Sequence, residues 1–142
     1  MNEERTVSTS AQRLWTLISD VEHWDQMLPT IERVERLTPD APIGVGARFQ
    51  VDQPGLPTAV YEITEWQPGR GFTWVASSPG IRTTASHVLS ERDGATRLVL
   101  GIDWSGPLAW VVRLLVGPKA RRMVEQEADT FARLAERAEE SG

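Results

Sequence analysis

His87 is the side chain best placed for chemistry. It falls within Ile81–Ser90, a stretch that reads as a strand, and by alternation shares a face with Ile81, Thr83, Ala85 and Leu89, the more apolar of the two. An imidazole there can donate a hydrogen bond to a ligand carbonyl or exchange a proton near neutral pH. It can equally be satisfied by a neighbouring strand or sit at the sheet rim. Tyr61, the only tyrosine, shares a strand face with Ile63. Its hydroxyl needs a partner if buried, so it either orients a ligand carbonyl or is a half-buried strand residue. Glu127 stands out by register. The spacing 120, 124, 127, 131, 134 sets it in the middle of an apolar helical stripe. Buried acids are rare unless paired, and a dry site raises a carboxyl pKa toward useful values. Glu127 is therefore either a cavity carboxylate facing His87 or Tyr61, or a residue flanking the groove with its carboxylate in water.

Asp20, Glu22, His23 and Asp25 crowd one short segment, but a single histidine at that spacing matches no metal motif, and a solvated turn is the expected reading. Six tryptophans occur, at 15, 24, 66, 74, 104 and 110. Trp74 alternates with Phe72 and Ala76; Trp104 continues a face with Leu98, Leu100 and Ile102. Such faces either fill a core or line an apolar pocket.

The elements that must position these groups follow from pattern. Residues 3–7 are short and polar. Ser10 is a good N-cap for a helix over about 11–20, where Leu14, Trp15, Leu17 and Ile18 recur at helical spacing. Residues 21–29 read as a second short helix or turn closed by Pro29. Ile31, Val34 and Leu37 fit a strand loosely. Arg48–Val51, Thr58–Trp66, Phe72–Ser77, Ile81–Ser90 and Thr96–Trp104 fit better, separated by Pro54-Gly55, Pro68-Gly69, Pro79-Gly80 and Asp93-Gly94. These connections are too short for crossover helices, so about six strands form an antiparallel meander. After the strongly apolar Leu108–Val116, Gly117-Pro118 is expected to kink or break the element. Residues 119–138 then form a long amphipathic helix with Ala120, Val124, Phe131, Leu134 and Ala138 on its apolar stripe. The concave face of a curved sheet is the one surface large enough to bury that stripe, which gives a single α+β domain over 1–142.

Composition narrows the classes. With 142 residues, a net charge of −5 and no cysteine, disulfide frameworks, cysteine-ligated metals and cysteine nucleophiles are excluded. A nucleic-acid binder would carry a basic face; here only Lys119, Arg121 and Arg122 cluster. Gly44 and Gly46 precede a strand rather than a helix, so no phosphate-cradling loop is formed, and there is no nucleophile elbow. No cofactor is expected. The polar N-terminus has no apolar signal core, and no apolar run is long enough to span a bilayer, so a cytoplasmic protein without stable membrane insertion is expected. Leu108–Val116, with Trp110 and Arg113, could touch a membrane surface; a helix covering one end of a cavity is the plainer reading.

The order of elements, together with S-D-V-E-H-W-D-Q-M-L-P (19–29), G-V-G-A-R-F (44–49), Y-E-I-T-E-W-Q-P-G-R (61–70), H-V-L-S-E-R-D-G-A-T-R-L (87–98) and the final helix, resembles the polyketide cyclase/dehydrase-like branch of the START-like (SRPBCC, Bet v-like) superfamily. The resemblance covers essentially the whole chain and is more specific for fold than for activity. It implies a helix-grip fold: six to seven strands wrapped around the C-terminal helix, two short helices after the first strand, and an apolar cavity between sheet and helix. It implies binding of a lipid, polyketide or other polycyclic molecule, with Trp24, Tyr61, Trp74, His87, Trp104, Val124, Glu127 and Phe131 as the expected contacts. The alternatives are a polyketide cyclase or dehydratase using His87, Tyr61 or Glu127, and a chaperone-like or quinone-handling accessory protein. Each is compatible with a homodimer.

Overall fold

Turn chemistry sets the sheet. The computed structural model covers residues 1–40 and 42–141, with side chains followed through 137. β1 (Asn2–Val7) leads into α1 (Ala11–Ile18), a single turn of tighter helix at Val21–His23 and α2 (Trp24–Met27). Six strands follow: β2 (Arg33–Arg36), β3 (Arg48–Asp52), β4 (Ala59–Gln67), β5 (Gly71–Ser78), β6 (Ile81–Arg92) and β7 (Ala95–Ser105). They lie side by side as a meander, and β1 pairs antiparallel with β7, giving the order β1-β7-β6-β5-β4-β3-β2. Asp93 and Gly94 both hold positive φ, at 54° and 80°, the conformation a two-residue hairpin between β6 and β7 demands. Ser10 caps α1 as expected, its Oγ accepting from the Arg13 amide at 3.2 Å.

The chain then runs through α3 (Ala109–Ser141) as one helix. The expected break at Gly117-Pro118 does not occur. Pro118 lies inside the helix, because the segments on both sides are anchored: Ala109 and Ala120 are buried with Trp104, against Ile81, Ile102, Val112 and Val116. The lost backbone hydrogen bond is tolerated where packing holds the helix on either side. The buried stripe of α3 is Ala120, Val124, Ala128, Phe131 and Ala135; Leu134 is half-buried, and Ala138 lies outside the residues whose side chains are described. Small residues at 128 and 135 let the helix approach closely, and its main neighbours are β1, β7 and α1.

The ground over β3, β4 and β5 is filled by aromatic rings. Trp24 meets Trp74, Phe131 and Phe72 at centroid separations of 5.3, 5.6 and 5.9 Å. Trp15 packs edge-on to Trp66 at 4.9 Å, under α1. The pairing of β5 with β6 that presents His87 to this cluster depends on Gly71, which holds φ +143° so close to β6 that a Cβ would collide with the His87 carbonyl oxygen. Gly71→Ala should therefore lower the unfolding free energy by about 2–4 kcal/mol in urea titrations. Gly69→Ala, in an open turn with nothing near its missing Cβ, should cost about 1 kcal/mol; equal losses would contradict the close approach.

Candidate functional site

Two adjoining spaces lie between the sheet and α3. The inner one is a chamber of about 70 Å³ walled by Trp24, Ile31, Val51, Tyr61, Trp74, His87, Leu100, Met123, Val124 and Glu127. The outer one is a cleft of about 500 Å³ walled by Pro57, Ala59, Tyr61, Ala76, Ile81, Thr83, Trp104, Val112 and Val116, among others. Gln53, Leu56, Tyr61, Ile102 and Ala120 line both, so Tyr61 stands where chamber and cleft meet.

The expected contacts thus fall into three groups. Trp24, Tyr61, Trp74, His87, Val124 and Glu127 come together at the inner chamber. Trp104 faces the outer cleft. Phe131 lines neither space; it is fully buried against Trp24 as part of the core. Sequence reasoning missed Met123, Ile31 and Thr30. Met123 falls at helical spacing between Ala120 and Glu127, a usable signal. Thr30 carries none, because only the fold brings it 97 positions to Glu127.

Trp74 is the centre of the arrangement. Tyr61 stacks on it at 4.8 Å, Trp24 meets it edge-on, and His87 lies edge-on at 6.0 Å. His87 is buried and stacks on Phe72 at 4.2 Å. Its Nδ1 lies 3.2 Å from the Phe72 carbonyl oxygen. A carbonyl only accepts, so Nδ1 carries the hydrogen and Nε2 keeps its lone pair. Burial pushes the His87 pKa down to about 4, against the raising effect of that hydrogen bond, so the ring is neutral at physiological pH.

Glu127 keeps part of its stem toward solvent, but its carboxyl is enclosed at the chamber. Burial pushes its pKa up to about 7, opposed by Thr30, whose hydroxyl donates to Oε1 at 2.8 Å. Tyr61 is pushed up to about 12 by burial and then by the Glu127 charge, so its hydroxyl stays protonated. Trp24 Nε1 is buried without a hydrogen-bond partner among the described residues. The chamber therefore gathers one hydroxyl (Tyr61), one neutral imidazole (His87) and one carboxyl that changes protonation near neutrality (Glu127). Such a set can orient a neutral oxygenated molecule and exchange a proton with it.

The acidic segment after α1 is built for structure. His23 Nδ1 lies 2.6 Å from Asp20, which raises the histidine pKa. Glu22 accepts from Arg36 at 2.8 Å, and Asp25 accepts from the Val34 amide at 3.3 Å. Among the described residues no group of three or more histidines and carboxylates gathers as a metal site would require.

The family model described as polyketide cyclase/dehydrase and lipid transport matches residues 1–138. No curated protein matches the chain. Solved structures do. A hypothetical protein from Helicobacter pylori superposes with TM-score 0.80 at 13% identity, covering 94% of this chain and 86% of the other. Norcoclaurine synthase from Thalictrum flavum superposes with 0.70 at 18%, covering 94% and 84%. The Zhui aromatase/cyclase from a Streptomyces species gives 0.68 at 23%, covering 96% and 93%. At these identities the likeness is one of fold.

The two buried titrations have opposite signs. Between about pH 4.5 and 7 the folded protein holds a Glu127 proton that the unfolded chain has lost, so this residue's contribution falls as pH rises. Between about pH 4 and 6.5 the unfolded chain holds a His87 proton that the folded protein lacks, so that contribution rises. In the native protein the slopes oppose. Glu127→Gln keeps an acceptor for Thr30 and cannot ionise, so its stability should climb by roughly 2–3 kcal/mol between pH 4 and 6.5 and exceed the native value by a similar amount at pH 8. Urea unfolding across pH measures both; equal stabilities at pH 8 would mean that the carboxyl reaches water.

Proposed function

The chain belongs to the polyketide cyclase/dehydrase and lipid transport family, and from that premise we propose that it binds a neutral hydrophobic small molecule, a polyketide or other polycycle, between the sheet and α3. The observation that carries this reading is the unfilled space itself. Apolar walls enclose a cleft of about 500 Å³, within the range of small-molecule sites. It adjoins a chamber lined by Tyr61, His87 and Glu127 as well as by apolar side chains. The hydrocarbon body would lie along the cleft against Ile81, Trp104, Val112 and Val116. Apolar area buried there contributes about 25 cal/mol per Å² before the costs of association. The oxygenated end would reach Tyr61 and the chamber beyond it, with the Tyr61 hydroxyl donating and His87 Nε2 accepting.

A second reading, cyclisation or dehydration of such a ligand, is favoured by Glu127. A carboxyl pushed up to about 7 can both give and take a proton near neutral pH, while the Tyr61 hydroxyl polarises a carbonyl. Glu127 would be the acid/base and Tyr61 the carbonyl donor. A protein-facing accessory role predicts a small or filled cavity and an exposed apolar patch; the cleft of about 500 Å³ is against the first, while Trp110, Leu114 and Leu115 meet the second.

Tryptophan-fluorescence titration with a neutral hydroxylated polycycle, 1,8-dihydroxyanthraquinone, tests binding. Saturable quenching is expected. Tyr61→Phe should weaken it about threefold to tenfold, the worth of one hydrogen bond. Val116→Trp, which fills the cleft from a half-buried position, should abolish it with the urea unfolding midpoint retained. Native-like binding by Val116→Trp, or no saturable quenching by the native protein, would overturn the proposal.

A further inference from the structure

We propose that the first turns of α3 form a docking surface for anionic lipid bilayers. This goes beyond the ligand reading and stands without it. The observation is an apolar face that the fold leaves uncovered: Trp110 is 65% exposed, Leu114 71% and Leu115 74%, with Leu108 at 47% just before the helix. On α3, Trp110, Leu114, Pro118 and Arg121 follow one another at four- and three-residue steps along one face, with Leu115 and Arg122 on the adjoining strip. The opposite face carries Ala109, Val112, Val116 and Ala120 inward against Trp104.

Charge decides what covers this face. The chain as a whole is acidic, at −5. Yet from Trp104 to Val124 it contains no Asp or Glu and four cations: Arg113, Lys119, Arg121 and Arg122. Arg121 and Arg122 are exposed, lie one to two turns beyond the leucines, and form no ion pair among the described residues. A Trp/Leu surface with a basic collar, on an otherwise acidic protein, is complementary to an anionic bilayer: rings and leucines enter the headgroup boundary and arginines meet the phosphates. Among the described residues no helix is long and apolar enough to cross a membrane, so α3 would lie in the interface. The same helical segment lines the outer cleft through Val112 and Val116.

The test is co-sedimentation of the purified full chain with vesicles of phosphatidylcholine alone and with about 30% phosphatidylglycerol, at low and high salt. Binding is expected to the anionic vesicles at low salt and to fall sharply at high salt. Leu114→Glu/Leu115→Glu and Arg121→Ala/Arg122→Ala should each lower the bound fraction at least tenfold, roughly the loss of two interfacial cations in the arginine case. Circular dichroism and urea unfolding should not move, since these side chains are exposed. Trp110 emission should shift to the blue on binding, read as the difference from Trp110→Phe. Absence of binding to anionic vesicles, or binding indifferent to both double substitutions, would overturn the proposal. So would a dimer in light scattering that Leu114→Glu/Leu115→Glu dissociates, since the face would then belong to a second copy.

Discussion

One helix cannot tile the concave face of a seven-stranded sheet. α3 packs mainly against β1, β7 and α1, and its buried stripe is largely alanine, which brings the backbone in close there and leaves ground uncovered over β3, β4 and β5. Large rings must fill that ground. Trp24, arriving from the short helix after β1, meets Phe72, Trp74, His87 and Phe131 within 6 Å between centroids. Flat rings at angles to one another pack densely in pairs but leave angular gaps, and the inner chamber, walled by Trp24, Trp74 and His87, is such a gap. The core and the cavity are thus one arrangement seen from two sides.

Polar atoms at that arrangement carry a cost. An unpaired buried donor such as Trp24 Nε1 costs about 1–3 kcal/mol, and an enclosed carboxyl more if it ionises. A sequence departs in this way from what folding alone favours chiefly where function requires it. His87, Tyr61 and Glu127 come from three distant parts of the chain, and the fold converges them on Trp74 and its chamber.

The fold was largely legible because each level of the sequence points the same way: the turn dipeptides, the strand alternation and the single amphipathic stripe. The continuity of α3 was not, because Gly117-Pro118 is a strong local break signal and only tertiary packing around Trp104 overrides it. Within the site, Tyr61, His87 and Glu127 were visible as polar residues at apolar register positions. Their convergence was not, since strand order and sheet curvature decide which inward residues share a space. Phe131 shows the limit most clearly. It lies on the same stripe as Val124 and Glu127, yet a turn or more along the helix turns cavity wall into solid core. Thr30 lies beyond any pattern, being defined only by the distant carboxyl it meets.

Glu127 presents an enclosed carboxyl to a site proposed to take a neutral ligand. Its side-chain carboxyl can be followed directly by carbon-13 NMR across pH, with and without a neutral polycyclic phenol. A midpoint near 7 is expected in the free protein, and it should move when the phenol is added, because a neutral occupant excludes water from the carboxyl. A midpoint near the ordinary glutamate value, about 4.3, unchanged by the phenol, would contradict it.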